Sequence, residues 1–241
     1  MTYSVQWLRS LLFVVQMYIA LAILALVYVP LSVYDREWAY RGIGVFCRWV
    51  RLTATRLVGL KSEIRGDIPF GDVLVCAKHQ SFFDILLICS VLPRPRFVMK
   101  KQLKWAPVVG YIASRIGCVA IDRGKKSAAI KQLLTGAANR PFDGPTQLVI
   151  YPQGTRVAPD DRKPYKVGAA ALYESMEIDC VPAATNVGVF WPKRRIYRKP
   201  GVAVVEFLDS IPPGKNSLDF LRNLEAVIEC ASDQLIAEAR S

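Results

Sequence analysis

Ser10 to Tyr34 contains no charged residue and no histidine. A helix of about 20 apolar residues is long enough to span a bilayer, and Arg9 and Asp35-Arg36-Glu37 bracket this run. Leu11 to Ile19 resembles the apolar region of a secretory signal, with Ala20-Leu21-Ala22 resembling a cleavage site. The apolar run nevertheless continues to Val33, further than such a region extends. The pattern therefore predicts a retained membrane helix, kinked or ended at Pro30. Gly42 to Leu60 is a second apolar stretch, in which Arg41, Arg48, Arg51 and Arg56 alternate with Phe46, Trp49, Val50 and Leu57. Arginines among aromatic residues suit a helix at headgroup level or one folded back on the first. Residues 1–60 thus read as a membrane-anchoring helical pair, and residues 61–241 as a separate domain.

From Lys61 the pattern changes to short β-rich runs alternating with longer helical stretches. Strands are expected at Val73 to Ala77, Phe97 to Met99, Cys118 to Ile121, Leu148 to Tyr151, Cys180 to Ala184 and Val202 to Phe207. Helices are expected at Phe83 to Ser90, Val108 to Arg115, Lys126 to Asn139 and Gly168 to Ser175. A last helix, capped by Ser217, carries Leu218, Leu221, Leu224, Ile228 and Leu235 at helical spacing. Such alternation predicts an α/β domain, a layered sheet with flanking helices.

Three polar loops each follow an expected strand. His79-Gln80-Ser81-Phe82-Phe83-Asp84 follows the first, Asp122-Arg123-Gly124 the third and Pro152-Gln153-Gly154-Thr155-Arg156 the fourth. Sites in open α/β sheets form at the carboxyl ends of strands, so parallel strands would bring these loops to one edge. A carboxylate five residues after a histidine can accept its Nδ1 proton if the turn folds back, leaving Nε2 to act as a base. The pair alone is a common chance match. Gly154 allows close backbone approach to an anion, Thr155 adds a hydroxyl, and Arg156 adds a planar fork suited to phosphate. Taken singly, each loop also reads as an ordinary turn.

Charge sharpens the picture. The chain has 32 Lys and Arg against 20 Asp and Glu, a formal charge of +12. A surplus of this size predicts an anionic partner: nucleic acid, lipid headgroups or a phosphorylated substrate. A 52% hydrophobic composition excludes a disordered chain. The six cysteines form no CxxC pair and read as buried free thiols of a reducing compartment. With one histidine, His79, a Cys/His zinc site has little to build on, and any histidine base must be His79. Most positive charge follows the first helix, which places the bulk of the protein on the cytoplasmic side.

Together, K-H-Q-S-F-F-D-I-L around His79, G-C-V-A-I-D-R-G (Gly117 to Gly124), Y-P-Q-G-T-R (Tyr151 to Arg156) and V-P-A (Val181 to Ala183) resemble the four blocks of the glycerolipid acyltransferases. The resemblance runs from about residue 60 to 210, and the pattern is most similar to lysophosphatidic acid acyltransferases. It implies acyl transfer from a thioester, acyl-CoA or acyl-carrier protein, to the sn-2 hydroxyl of 1-acyl-glycerol-3-phosphate, giving phosphatidic acid. It further implies His79 as base, Asp84 as its orienter, and Arg123, Gly154, Thr155 and Arg156 with Lys101 as holders of the acceptor phosphate. No metal or redox cofactor and no nucleic acid is implied. The family's third block usually reads E-G-T-R. Gln153 departs from it, retains a hydrogen-bonding positioning role, and makes Gln153→Glu an expected tolerated change. Another lysolipid acceptor, or a membrane-anchored binder without catalysis, are the rival readings.

Overall fold

The computed structural model of the chain describes residues 2–122, 124, 126–139 and 144–241. It opens with helix α1 (Tyr3–Tyr34), which runs through Pro30 instead of ending or breaking there. The neighbouring helix α2 (Glu37–Thr53) supports it: at Gly42 an added Cβ would stand 2.8 Å from the Tyr28 Cβ, so the two backbones meet closely. Asp35 makes the reversal, its N–H donating to Leu31 O at 3.2 Å and its Oδ1 accepting from Glu37 N at 2.9 Å. The second stretch becomes α2 and a π turn (Ala54–Val58), closed by Gly59 in the left-handed region at φ +70°.

Seven described strands form one sheet in the order β1-β7-β6-β2-β5-β3-β4. They are β1 (Leu60–Arg65), β2 (Val73–Ala77), β3 (Pro95–Lys100), β4 (Val119–Ile121), β5 (Gln147–Ile150), β6 (Cys180–Thr185) and β7 (Gly201–Phe207). Every neighbouring pair is parallel except β6 with β7. The middle strands β2, β5 and β6 are buried along their whole length. That burial accounts for their mainly apolar sequences, with Gln147 and Thr185 only at strand ends, because helices cover both faces of a parallel sheet. Between the strands lie α3 (Phe83–Val91), a 3-10 turn (Lys101–Trp105), α4 (Val109–Arg115), α5 (Lys126–Ala138), α6 (Gly168–Met176) and α7 (Val187–Phe190). The closing helix α8 (Ser217–Glu238) is capped one residue earlier than expected, by Asn216, whose side chain accepts from Asp219 N at 3.0 Å. An α/β sheet with flanking helices is thus the observed class, and β1 is an addition to the expected strands.

The helical hairpin packs into the body of the protein. Phe13, Met17, Cys47 and Val50 share one core with Val75, Val149 and Trp191, and the Phe13 ring meets Trp191 edge-on at 5.4 Å. Gln6 Nε2 donates to Val58 O at 3.0 Å and Arg198 O at 2.8 Å, and Ser10 Oγ accepts from Arg198 N at 2.9 Å. The opposite side of α1, with Leu12, Ile19, Ile23 and Leu26, is exposed.

Phe13→Ala is expected to lower stability by about 3–5 kcal/mol, the usual cost of a large cavity in a core. The neighbouring Leu12→Ala, on the exposed side, should change it by less than about 0.5 kcal/mol. Denaturant unfolding of the full chain in detergent measures both, and equal effects would contradict the packing of α1 on the sheet.

Candidate active site

The carboxyl ends of β2, β5, β3 and β4 lie along one edge, because these strands run parallel. His79 follows β2. Five residues later, in the first turn of α3, Asp84 turns back toward it: His79 Nδ1 and Asp84 Oδ1 are 3.0 Å apart. Asp84 Oδ2 accepts from the backbone N–H groups of Gln80 at 2.8 Å and Ser81 at 2.7 Å. Three hydrogen bonds and the start of a helix offset the burial of a carboxylate that has no exposed surface. The same bonds fix the turn. Nε2 is the histidine nitrogen that Asp84 leaves available. The imidazole also stacks on Tyr151, with ring centroids 4.0 Å apart.

The loop after β5 is tied directly to the first. Val157 N donates to His79 O at 2.8 Å, and Gly154 N closes a turn onto Tyr151 O at 2.8 Å. Gly154 has φ +68°, a backbone conformation that favours glycine. The fourth block runs beside the base strand, where Ala183 O accepts from Lys78 N at 2.8 Å. Gln80 Oε1 reaches across to accept from Gly188 N at 2.9 Å.

These loops frame the mouth of a cavity of about 640 Å³. Its walls come from the hairpin (Leu21, Leu24, Tyr28, Phe46), from α3 (Ile85, Cys89), from β3 (Phe97, Met99) and from α4 (Ile112, Ala113). Polar residues gather at one end: His79, Thr155, Arg156, Lys100, Lys193 and Arg194. Lys193 is mostly exposed, and its ammonium is shifted down from the ordinary lysine range by partial desolvation and then by Arg156, Arg194, Lys100 and Lys163 around it. This rim is a concentration of positive charge suited to an anion. Burial, with Asp84 and Cys89 nearby, pushes the Tyr151 hydroxyl up, so it is a proton-bearing group beside the imidazole.

The structure brings His79, Asp84, Thr155 and Arg156 together, and Gly154 shapes their loop. It turns Gln153 away: that side chain is buried, its Nε2 3.4 Å from Lys163 O and 3.5 Å from Glu229 Oε1. Lys101 sits exposed on the 3-10 turn, while its neighbour Lys100 lines the cavity. Arg123 lies outside the described residues; in its loop Asp122 Oδ1 accepts from Gly124 N at 3.1 Å. Tyr151 and the apolar cavity were missed from sequence. Tyr151 is the last residue of an expected strand, and the cavity needs four elements distant along the chain.

A family model described as Acyltransferase matches residues 61–186. A 1-acyl-sn-glycerol-3-phosphate acyltransferase of Pseudomonas aeruginosa is 29% identical over 162 residues, covering 66% of this chain and 63% of that protein. The mouse 1-acyl-sn-glycerol-3-phosphate acyltransferase alpha is 28% identical over 170 residues, 68% of this chain and 59% of its own length. The chain thus spans less than two thirds of either relative. The crystal structure of the 1-acyl-sn-glycerophosphate acyltransferase PlsC of Thermotoga maritima matches with a TM-score of 0.74 at 20% identity, over 95% of this chain and 97% of that one, which is a likeness of fold. With the family model covering just over half of the chain, including the loops after β2, β4 and β5, the protein belongs to the acyltransferase family.

Proposed function

We propose that the protein transfers an acyl chain from a thioester, acyl-CoA or acyl-carrier protein, to the sn-2 hydroxyl of 1-acyl-glycerol-3-phosphate. One observation carries this reading: an imidazole oriented by a buried carboxylate stands where an apolar cavity opens onto a cationic rim. The cavity, within the roughly 300–1,000 Å³ of small-ligand sites, takes an acyl chain and leaves its carbonyl near His79. The rim takes the phosphate, with Arg156 offering two parallel donors. The relatives named as 1-acyl-sn-glycerol-3-phosphate acyltransferases support the choice of acceptor.

In this mechanism His79 Nε2 removes the proton of the acceptor hydroxyl as its oxygen attacks the thioester carbonyl carbon. Asp84 keeps Nδ1–H oriented and stabilises the imidazolium. The C–S bond breaks as the tetrahedral intermediate collapses, and the imidazolium returns the proton to the departing thiolate. No acyl-enzyme forms, and the residues named need no metal or redox cofactor. Gln153 acts at one remove by positioning its loop. Arg123 is assigned to the phosphate through its place in the second block, and Lys101 through its nearness to Lys100. The exposed apolar side of α1 rests in the membrane that supplies the acceptor, with the catalytic edge on the cytoplasmic side; no nucleic acid is involved.

Thioester cleavage by the purified protein with and without lysophosphatidate, across both donor types and other lysolipids, tests the assignment. Thiol release that is independent of every acceptor would contradict it. His79→Ala should lower turnover by about 10²–10⁴-fold, and Asp84→Asn should remove a substantial part of the same factor. Near-normal rates in folded His79→Ala protein would remove the base, since the chain has no second histidine.

Arg156→Ala should act through the acceptor, raising its KM about 10- to 100-fold, the equivalent of losing a charge-assisted hydrogen bond. Arg156→Lys should restore only part. Saturation curves for each substrate decide, and a defect confined to the donor would reassign the loop to thioester binding.

Lysines placed together at Leu12, Ile19 and Ile23 should release the protein from membranes, at about 2.5–3.5 kcal/mol for each charge held in hydrocarbon. Fractionation without detergent measures this, and unchanged sedimentation with membranes would place the bilayer contact elsewhere.

A further inference from the structure

Behind the catalytic edge, α8 directs one carboxylate into the protein. Both oxygens of Glu229 lie 2.6 Å from Lys78 Nζ, and Lys78 is 1% exposed. The Tyr165 hydroxyl donates to Oε1 at 3.0 Å; burial, and then Glu229 itself, push that hydroxyl up, so it keeps its proton. Gln153 Nε2 stands 3.5 Å from the same oxygen. On the solvent side Arg162 pairs with both Glu229 and Asp233. Lys78 immediately precedes His79, and Gln153 lies two residues before Thr155 and three before Arg156. One side chain, 151 residues from Lys78 in sequence, therefore grips the base loop and the anion loop from beneath.

We propose that Glu229 is a positioning residue that fixes the separation of His79 and Arg156, and that its pocket holds a single carboxylate which positions 229 and 153 can exchange. The catalytic part of this rests on the acyl-transfer reading above. The Gln153 Oε1 is buried without a hydrogen-bond partner among the described residues, so an amide there contributes mainly the donor facing Glu229. A carboxylate at 153 would set a second negative charge against the first in a poorly solvated site. Burial thus opposes the tolerance for Gln153→Glu expected from sequence. Removing the charge at 229 instead leaves Lys78 buried and unpaired, which is costly in its own right. In either case the loops shift, and displacement of about 1 Å can lower a rate as much as a hundredfold.

The test compares full-length wild type, Glu229→Gln, Gln153→Glu and the double variant in lipid–detergent micelles. Each is assayed for kcat and acceptor KM, and for the rate at which diethyl pyrocarbonate modifies His79, the one histidine of the chain. Each single change should lower kcat/KM about 10- to 100-fold and alter the modification rate of His79. The double variant should recover most of both, because the two changes compensate within one network. Losses that multiply in the double variant would overturn the exchange. Wild-type kinetics and His79 reactivity in Glu229→Gln would overturn the clamp. If Glu229→Gln does not fold, Glu229→Asp retains the charge while withdrawing it from both loops. It should then lower kcat and raise the acceptor KM, and unchanged values would overturn the clamp. A wild type that turns over no lysophosphatidate would remove the acyl-transfer reading, while the modification rates would still judge the clamp.

Discussion

The strand edge that carries His79 depends on the burial of Asp84. A carboxylate with no exposed surface is tolerated only with full hydrogen bonding, and the donors within reach are the imidazole of His79 and two backbone N–H groups of the intervening turn. Satisfying the carboxylate therefore folds the turn, and folding the turn orients the imidazole. The spacing of the pair is set by how few residues can connect the end of β2 to the first turn of α3 and still supply those N–H groups. Stacking on Tyr151 confines the imidazole from a further direction, so its orientation needs no contribution from a ligand.

The same strand edge explains why an apolar cavity and a cationic rim meet at the dyad. Parallel strands align their carboxyl ends, which bring Lys100 at the end of β3 beside His79, Thr155 and Arg156 of the neighbouring loops. On one side of that edge the sheet does not close the cavity alone. The N-terminal hairpin completes it with Leu21, Leu24 and Phe46, while its other face remains exposed and apolar. One helix thus forms both a wall of the cavity and an exposed apolar surface. A lipid tail entering the cavity would exchange one apolar environment for another, which lowers the desolvation cost of leaving a bilayer.

Much of this was legible in the sequence, for identifiable reasons. Val73–Ala77 and Cys180–Thr185 are buried on both faces, so apart from the terminal Thr185 their residues are apolar and their limits were readable almost to the residue. Leu60–Arg65 escaped detection because it is an edge strand. Its buried and exposed positions are mixed, and Lys61, Glu63 and Arg65 conceal it beside a helical stretch. Of the two outcomes expected at Pro30, the helix does not end there: it runs on to Tyr34. The dyad was visible because both members fall within six residues. The Lys78–Glu229 pair was not, since no local pattern links a lysine flanking a motif to a glutamate on the last helix.

That contrast bears on how Gln153 is understood. Within its motif it stands beside Gly154 and Arg156, so a sequence places it with the ligand. In the fold, the turn closed by Gly154 exposes Arg156 to the cavity and leaves Gln153 in the interior. Motif membership identifies a loop, and burial separates the residues that meet a substrate from those that hold the loop in place. A buried amide beside a buried carboxylate belongs to the second group. The character of position 153 is therefore governed by the charge already present on α8 more than by the chemistry of the acceptor.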